Sequence, residues 1–272
     1  DTPTAESFPD GQFSVSSTIF GGTIRTNLSF QISENITAAF RYARIPSAGG
    51  DHRGYYWDRS FDAHYLVFKE NTFFPSIAIG LRDFIGTGMY SGEYIVASKS
   101  INKKVKISAG LGWGRQAGTN KFTNIFGLSD SRSSRDVGVG GTVHFNQFFS
   151  GKNSPFLSMS YKFDEKIDLL SELSSDLYIH ETSTFKGFNK KTDLNLGLRY
   201  NFSPTFSLTG IVMHGNAIGI VGTSTVNPKN PPFYSGLEPA PMPIIARHFL
   251  PNNTNPENKD LFETTKSLLG LD

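Results

Sequence analysis

The stretch TIRTNLSFQISENITAAFRYA, residues 23–43, decides the fold. In its first half, alternate residues from Ile24 to Ile32 are apolar or threonine, and the residues between them are polar or charged. Successive side chains of a β-strand point to opposite faces, so this period of two predicts a strand with one apolar and one polar face. A second alternating run begins at Asn35, and the intervening Ser33-Glu34 predicts a tight hairpin turn.

The same alternation recurs along the chain as far as residue 226, most regularly in Val105–Trp113 and Asp193–Phe202. Short connections such as Ser203-Pro204 alternate with long ones such as Gln116–Asn153, which is typical of an up-and-down barrel with two unlike rims. We therefore predict an all-β fold, an antiparallel up-and-down transmembrane β-barrel of about twelve strands. The predicted strands are Gly11–Phe20, Thr23–Ile32, Asn35–Ala43, Arg59–Lys69, Pro75–Phe84, Glu93–Ile101, Val105–Trp113, Ser154–Phe163, Ile167–Tyr178, Asp193–Phe202, Thr205–Met213 and Ala217–Val226.

Three segments are predicted along the chain. Residues 1–10 are an extended N-terminal segment, residues 11–227 are the barrel, and residues 228–272 are a proline-rich strap or linker with a short helix. The strap cannot be a central strand, because proline lacks the N–H that a strand ladder needs. Many outer-membrane barrels end in a strand with a terminal aromatic residue, and this chain does not, so we expect it to continue into a further C-terminal part.

Composition argues against several classes of function. The 272 residues carry 26 Lys and Arg against 24 Asp and Glu, and this small net charge predicts no nucleic-acid partner. The chain has no cysteine, so disulfides and thiolate metal sites are excluded. Its six histidines show no metal-ligand spacing, and its carboxylates lie among counter-charges rather than as an isolated catalytic pair. We predict no catalytic residue, no metal and no cofactor.

The polar faces of the predicted strands carry charges of both signs, and the apolar faces carry aromatic residues near strand ends. A water-filled barrel interior with an aromatic girdle outside has this pattern, although a soluble β-sandwich also alternates. Each charged residue either lines a polysaccharide path or pairs across strands to hold the wall. The predicted lumen-lining residues are Arg25, Arg41, Asp62, Arg82, Glu93, Lys106, Glu172, Asp176, Asp193 and Arg199.

Four aromatic residues are candidate sugar contacts. Tyr90 lies in a loop flanked by glycines, which permit close backbone approach, and Tyr94 follows that loop. The loop is interpreted either as a constriction in the lumen where sugar rings stack, or as a rigid turn with an arginine–carboxylate clamp. Tyr56 and Trp57 are interpreted either as a membrane-interface anchor or as a carbohydrate platform at the barrel mouth.

Three groups of motifs carry a family resemblance. The first is DTPTA at residues 1–5 with PDG at 9–11. The second is YWDRSFD at 56–62, followed by AIGLRDFIGTGMYSGEY at 78–94 and GLGWGR at 110–115. The third is SELSSD at 171–176 with LGLRY at 196–200. Over about residues 1 to 245, the chain resembles the YjbH family of exopolysaccharide and capsule export proteins, which includes the GfcD-type capsule proteins.

The resemblance implies a place in the bacterial cell outer membrane and a non-enzymatic part in exopolysaccharide or capsule export. Its implied role is to guide or conduct secreted polysaccharide, with polysaccharide, outer-membrane lipid and periplasmic polysaccharide-export proteins as partners. Two alternatives stand beside it. One is a structural anchor that organises an export complex without conducting anything, and the other is a soluble carbohydrate-active β-protein.

Overall fold

A computed structural model describes residues 2–46, 54–133, 141–184, 188–231 and 265–266. Twelve antiparallel strands form a closed barrel in which each strand is hydrogen-bonded to the strands before and after it in sequence. Single-turn 3-10 helices lie at Gly114–Gln116 and Phe145–Gln147, and a π-helical turn lies at His180–Thr184. The strands are β1 Phe13–Phe20, β2 Thr23–Ser33, β3 Ile36–Pro46, β4 Tyr55–Phe68, β5 Ser76–Gly86, β6 Gly92–Ser100, β7 Val105–Gly112, β8 Ser154–Lys162, β9 Ile167–Leu173, β10 Leu194–Ser203, β11 Phe206–Met213 and β12 Ala217–Val226.

The barrel closes between its first and last strands. Pairing of β1 with β12 runs from Phe13 opposite Val226 to Phe20 opposite Gly219, and β1 pairs along its other edge with β2. Closure leaves no sheet edge, which is what a β-structure needs in lipid. The predicted barrel of about twelve strands is therefore confirmed.

Several predicted boundaries shift. The fourth strand begins at Tyr55 rather than at Arg59, which places Tyr56 and Trp57 in the wall. The first hairpin turn is Glu34-Asn35, one residue later than the sequence indicated, because Ser33 still pairs with Ile36. The ninth strand ends at Leu173 rather than at Tyr178. Residues 174–178 leave the wall, because their polar groups are bound by loop residues instead of by a neighbouring strand.

The two rims of the barrel differ in the length of their connections. One rim, the short-turn rim, holds the turns β2–β3, β4–β5, β6–β7, β8–β9 and β10–β11, and β1 begins and β12 ends there. The other, the long-loop rim, holds the β3–β4, β7–β8 and β9–β10 connections, which contain more residues. In bacterial outer-membrane barrels the short turns face the periplasm.

The outer surface of the barrel is apolar and exposed. Leu194, Leu196 and Leu198 of β10 are each 41–52% exposed, and the intervening Asn195 is buried inside. Arg25 and Arg41 are likewise buried on the inner face. An apolar exterior around a charged interior is the reverse of a soluble protein, and it matches a wall that meets lipid outside and water inside. The barrel is an outer-membrane barrel, which weighs against the soluble alternative.

The chain divides into two compact units, residues 1–232 and residues 233–272. In the second unit only Thr265 and Lys266 are described, and both are helical. The predicted proline-rich strap and short helix of residues 228–272 therefore lie largely outside the described residues and stay predictions, as do the three domain boundaries.

Across the described residues, no helix is both long enough and apolar enough to cross a membrane.

Placing a charge on the lipid-facing wall tests the orientation of the strands. Leu198→Arg puts a guanidinium into the hydrocarbon at mid-strand and is expected to destabilise the barrel by about 2–4 kcal/mol. The measurement is the urea midpoint of folding into phosphatidylcholine vesicles. Ser160→Arg is the matched control, because Ser160 faces the internal cavity. Equal destabilisation by both variants would contradict the assignment of the two faces.

Candidate functional site

The barrel encloses a cavity of about 1100 Å³. It extends from Arg25 and Arg82 in the half nearer the long-loop rim to the turn residues Asn102–Lys104 at the short-turn rim. Between these ends, hydroxyl and amide side chains recur along its wall beside charged and apolar ones. The hydroxyl and amide side chains line it at Ser16, Thr18, Ser108, Ser158, Asn195 and Thr209.

Loops from the long-loop rim turn inward and cover the cavity. We call residues 87–91, 114–117 and 174–184 the lid. Tyr90 packs against the inward residues Ala43 and Ile45 of β3. Tyr178 packs against Phe20 at the end of β1 and against Met213 at the end of β11. The lid thus contacts the wall strands β1, β3 and β11 at the long-loop end of the barrel.

An ionic cluster holds the lid together. The guanidinium of Arg115 donates from Nη2 to both carboxylate oxygens of Glu181, at 2.8 and 3.0 Å. Its Nε donates to Asp176 Oδ2 at 2.6 Å. Tyr90 donates its hydroxyl to Glu181 Oε1 at 3.1 Å, and Arg25 Nη2 lies 3.9 Å from the same oxygen. Three separate loops and one wall strand therefore meet at a single carboxylate.

The ring of Tyr90 lies at the centre of three guanidinium groups. Arg115, Arg25 and Arg41 lie 4.2, 5.0 and 5.1 Å from its centroid. Cations within about 6 Å of an aromatic ring are attracted by its quadrupole, more strongly when water is excluded. Tyr90 is 3% exposed. It therefore fastens the β5–β6 loop to the wall strands β2 and β3.

Burial and charge act against each other on these groups. Burial would lower the pKa of Arg115, but Asp176 and Glu181 outweigh it and hold that pKa above its ordinary value. Burial would raise the pKa of Glu181, but Arg115 and Arg25 hold it below the usual glutamate range. Burial raises the pKa of Tyr90 to about 12. Arg115 and Glu181 are therefore both ionised at neutral pH, with Tyr90 protonated as a donor.

Residues 2–10, which we call the inner segment, lie inside the barrel. Ala5 donates its N–H to Ser98 Oγ at 2.8 Å, and Phe8 donates to Gln31 Oε1 at 3.2 Å. Thr2 donates its N–H to Glu172 Oε2 at 2.7 Å. The sequence predicted an extended segment here but not its position, because nothing in its own residues names the wall that it binds.

Six of the ten predicted lumen residues line the cavity: Arg25, Arg41, Arg82, Lys106, Glu172 and Arg199. Asp62 is close to them, since it is ion-paired with Arg41. Many of these charges are paired, as in the contact of Arg199 with Asp168 at 3.6 Å. Both readings of the inward charges thus have support, since pairing across strands coexists with a cavity wall.

Asp176 and Asp193 lie in the β9–β10 connection and not in the wall. Asp176 belongs to the lid cluster, and Asp193 pairs with Lys190 at 2.7 Å just before β10 begins. The sequence pattern placed both in strands because polar residues alternate there with leucines. The strand in fact stops at Leu173.

Glu93, which the sequence pattern placed in the lumen, lies on the outer face. It stands opposite Leu81 in the ladder, as Ile95 stands opposite Ile79. The β7–β8 connection covers it: Arg132 donates to its two carboxylate oxygens at 2.7 and 2.8 Å. The two faces of β6 were interchanged in the prediction because the inward Tyr94 and Val96 are apolar.

Those inward apolar residues of β6 pack against the inner segment. Ala5 lies in a buried cluster with Tyr94, Val96 and Phe156. Tyr94 passes over Gly80, where an added Cβ would lie only 2.1 Å from the ring carbon Cζ. The hydroxyl of Tyr94 lies 2.9 Å from His64 Nδ1. This part of the wall is therefore shaped to hold a chain segment.

The four predicted aromatic contacts have different environments. Trp57 is 47% exposed and stacks on Tyr42 with ring centroids 5.3 Å apart. Exposed aromatic rings on the outer face near a barrel rim are typical of the aromatic girdle of membrane barrels. Tyr56 packs beside Tyr90 in the lid cluster, and Tyr90 and Tyr94 are both buried. A sugar could reach the rings of Tyr90 or Tyr94 only after the lid or the inner segment had moved.

Among the described residues, no group of three or more His, Asp or Glu side chains could hold a metal ion.

Comparisons with known proteins give one family match. A family profile described as YjbH, "Exopolysaccharide biosynthesis protein YbjH", matches residues 1–267. A protein of Escherichia coli (strain K12), described as "Uncharacterized lipoprotein YjbH", is 26% identical over 219 residues. The match covers 76% of this chain but only 30% of the relative, so the chain spans less than a third of that protein.

Solved structures similar to the chain include two outer-membrane proteins at low identity. The KdgM porin in complex with disordered oligogalacturonate is 10% identical, with a TM-score of 0.47, over 78% of this chain and 98% of the porin. An outer membrane channel from Pseudomonas putida F1 is also 10% identical, with a TM-score of 0.41, over 83% of this chain and 99% of the channel.

Neutralising the central carboxylate tests the ionic cluster of the lid. Glu181→Gln leaves Arg115 and Arg25 without that charge and is expected to weaken lid closure by about 2 kcal/mol. A spin label at Met89→Cys, a loop position in a chain without native cysteine, reports lid mobility by electron paramagnetic resonance. Glu165→Gln, in the exposed β8–β9 turn, is the control. Unchanged label mobility in Glu181→Gln would contradict the role of the cluster.

The same label tests the pH dependence of the lid. The pKa of Glu181 is lower in the closed lid than in the open chain, so its contribution is fully present above the ordinary glutamate pKa of about 4.3. That contribution is lost as pH falls through the lowered pKa. Label mobility is expected to rise on acidification below about pH 4. It should rise less in Glu181→Gln, and an equal rise in both proteins would refute the assignment.

Proposed function

This chain belongs to the YjbH family, and we propose that its barrel guides or conducts secreted polysaccharide through the bacterial outer membrane. The barrel is an outer-membrane structure linked by its family to exopolysaccharide. In the proposed role it takes part in exopolysaccharide or capsule export without catalysis. Polysaccharide enters at the short-turn rim and leaves past the lid.

The observation that carries this proposal is the cavity of about 1100 Å³ that leads from the short-turn rim to the lid. Its hydroxyl and amide lining can exchange hydrogen bonds with sugar hydroxyls at many equivalent places. Such a surface binds a moving polymer weakly at each position, which favours passage over retention. The cavity is also large enough for several sugar rings, since small-ligand pockets measure about 300–1,000 Å³.

The carboxylates of the cavity wall support a non-enzymatic role. Glu172 accepts hydrogen bonds from Thr2 and from Asn195 Nδ2, the latter at 2.8 Å. Asp168 is held by Arg199 and by Asn201 Nδ2 at 3.2 Å. A glycosidase needs one carboxyl kept protonated and a second one free to attack or activate water. Both of these carboxylates are instead bound as structural acceptors.

The surroundings of the barrel fit the proposed partners. The apolar outer surface of the barrel requires outer-membrane lipid around it. The short-turn rim faces the side from which periplasmic polysaccharide-export proteins would deliver the polymer. Nucleic acid is not a proposed partner, since the chain carries a net charge of only +2. Since the chain spans under a third of its curated relative, further partners of the whole protein belong to the proposal as well.

A non-conducting anchor is the second candidate, and the lid is the observation that favours it. The cluster of Arg115, Glu181 and Tyr90 closes the long-loop side by buried, ionised contacts. In a conducting barrel this cluster has to open during transport. In an anchor it stays closed, and the wall serves only to hold export partners at the membrane.

Conductance in planar lipid bilayers separates the two candidates. For a conducting barrel, the wild type is expected to show low or intermittent conductance, and Arg115→Gln/Glu181→Gln to show a severalfold increase because the lid is loosened. A double variant in the exposed β8–β9 turn, Glu165→Gln/Lys166→Gln, is the matched control. Zero conductance from correctly folded wild type and lid variant alike would refute conduction and favour the anchor.

A further inference from the structure

Positive charge is concentrated where the cavity meets the short-turn rim. Lys103 and Lys104 form the β6–β7 turn, Lys106 lies near the start of β7, and Lys162 ends β8. Lys162 donates its backbone N–H to the carbonyl of Lys104 at 2.7 Å, so the two elements are adjacent. All four lysines line the cavity. We call them the cationic mouth.

The strand lysines of the mouth face inward, away from lipid. Lys106 pairs in register with Ser160 of β8, which also lines the cavity. Lys162 follows Ser158 and Ser160 at intervals of two, so it shares their inward face. A lysine at the rim of a membrane barrel usually extends its side chain toward lipid headgroups. These side chains instead border the enclosed space.

Basic charge exceeds acidic charge at the mouth. Among the described residues, no carboxylate forms an ion pair with Lys103, Lys104 or Lys162. Deeper in the cavity the basic groups continue with Arg25, Arg41 and Arg82. The acidic residues of the lining are Glu6, Glu172 and Asp168, and Asp168 stands opposite Lys162 in the β8–β9 ladder. A cleft lined by one sign of charge focuses the field and concentrates ions of the opposite sign.

One carboxylate does occupy the mouth, and it comes from the inner segment. Glu6 forms an ion pair with Lys106, across 100 positions of sequence. The side chains of this pair are 43% and 33% exposed, so the contact is open to solvent. A carboxylate carried on an extended chain is thus already bound at this site. An anionic polymer entering from the rim would present the same group in the same setting.

We propose that the cationic mouth binds acidic polysaccharide, a polymer whose sugars carry carboxylate or phosphate groups. The lysines hold the anionic groups while the hydroxyl-rich wall above them takes the sugar hydroxyls. Glu6 is a built-in competitor that the polymer displaces from Lys106. This inference rests on the proposed function and adds the charge class of its substrate.

The test compares two hexasaccharides on the purified chain in neutral detergent at low salt. Titration calorimetry is expected to show binding of a mannuronate hexamer at least about tenfold tighter than maltohexaose, because several exposed charge pairs contribute up to about 1 kcal/mol each. Binding of the acidic hexamer should weaken as salt is raised. Lys103→Gln/Lys104→Gln/Lys162→Gln should lose most of the preference and keep the residual affinity for maltohexaose.

The matched control is Lys69→Gln/Lys121→Gln/Lys166→Gln, which removes the same charge at positions outside the cavity lining. Its preference for the acidic hexamer should equal that of the wild type. Equal binding of both sugars by the wild type, or equal loss in both triple variants, would overturn the proposal while leaving polysaccharide binding intact. Failure of both sugars to bind would instead count against the proposed function itself.

Two further probes identify the source of the anionic group. Inorganic phosphate at millimolar concentration should compete with the mannuronate hexamer in the wild type and compete less in the mouth variant. Nanodiscs with and without phosphatidylglycerol show whether lipid headgroups already fill the mouth. If phosphatidylglycerol abolished hexamer binding in wild type but not in the mouth variant, the lysines would be lipid contacts and the proposal would be wrong.

Discussion

Every backbone N–H and C=O group in a lipid-facing wall has to be hydrogen-bonded within the protein, because hydrocarbon offers no partner. The ladder between β1 and β12 meets this requirement by closing the sheet over eight residue pairs. Once the sheet is closed, each strand has one face in lipid and one face in the lumen. The apolar exterior, the polar cavity and the two unlike rims all depend on that closure.

Charge is distributed unequally along the lumen. Near the long-loop rim the charged groups are buried and paired, as in the contacts of Arg115 with Glu181 and Asp176. At the short-turn rim, Lys103, Lys104 and Lys162 of the cationic mouth are exposed and form no ion pair among the described residues. Buried, paired charges fix a conformation, whereas exposed, unpaired charges remain available to ligands. The barrel thus has buried, paired charges at its long-loop end and exposed basic side chains at its short-turn end.

The inner segment explains the departures from simple alternation. Because it lies against β5, β6 and β8, part of the inner wall is apolar, and Tyr94, Val96 and Phe156 surround Ala5 there. The outer face of the same β6 strand carries a charged residue, Glu93, where the β7–β8 connection covers it and Arg132 neutralises it. The polarity of each strand face thus matches what covers it, and lipid covers only part of the outer surface.

The sequence by itself determined the strands, their order and the inward direction of residues such as Arg25 and Arg199, because alternation is a local property with a period of two. Only the tertiary structure decided the lid, the inner segment and the face of Glu93. These depend on contacts between distant residues: Arg115 and Glu181 are 66 positions apart, and Thr2 and Glu172 are 170 apart. Local patterning cannot specify such pairs. It shows that a residue is charged or polar, but not which distant residue it will contact.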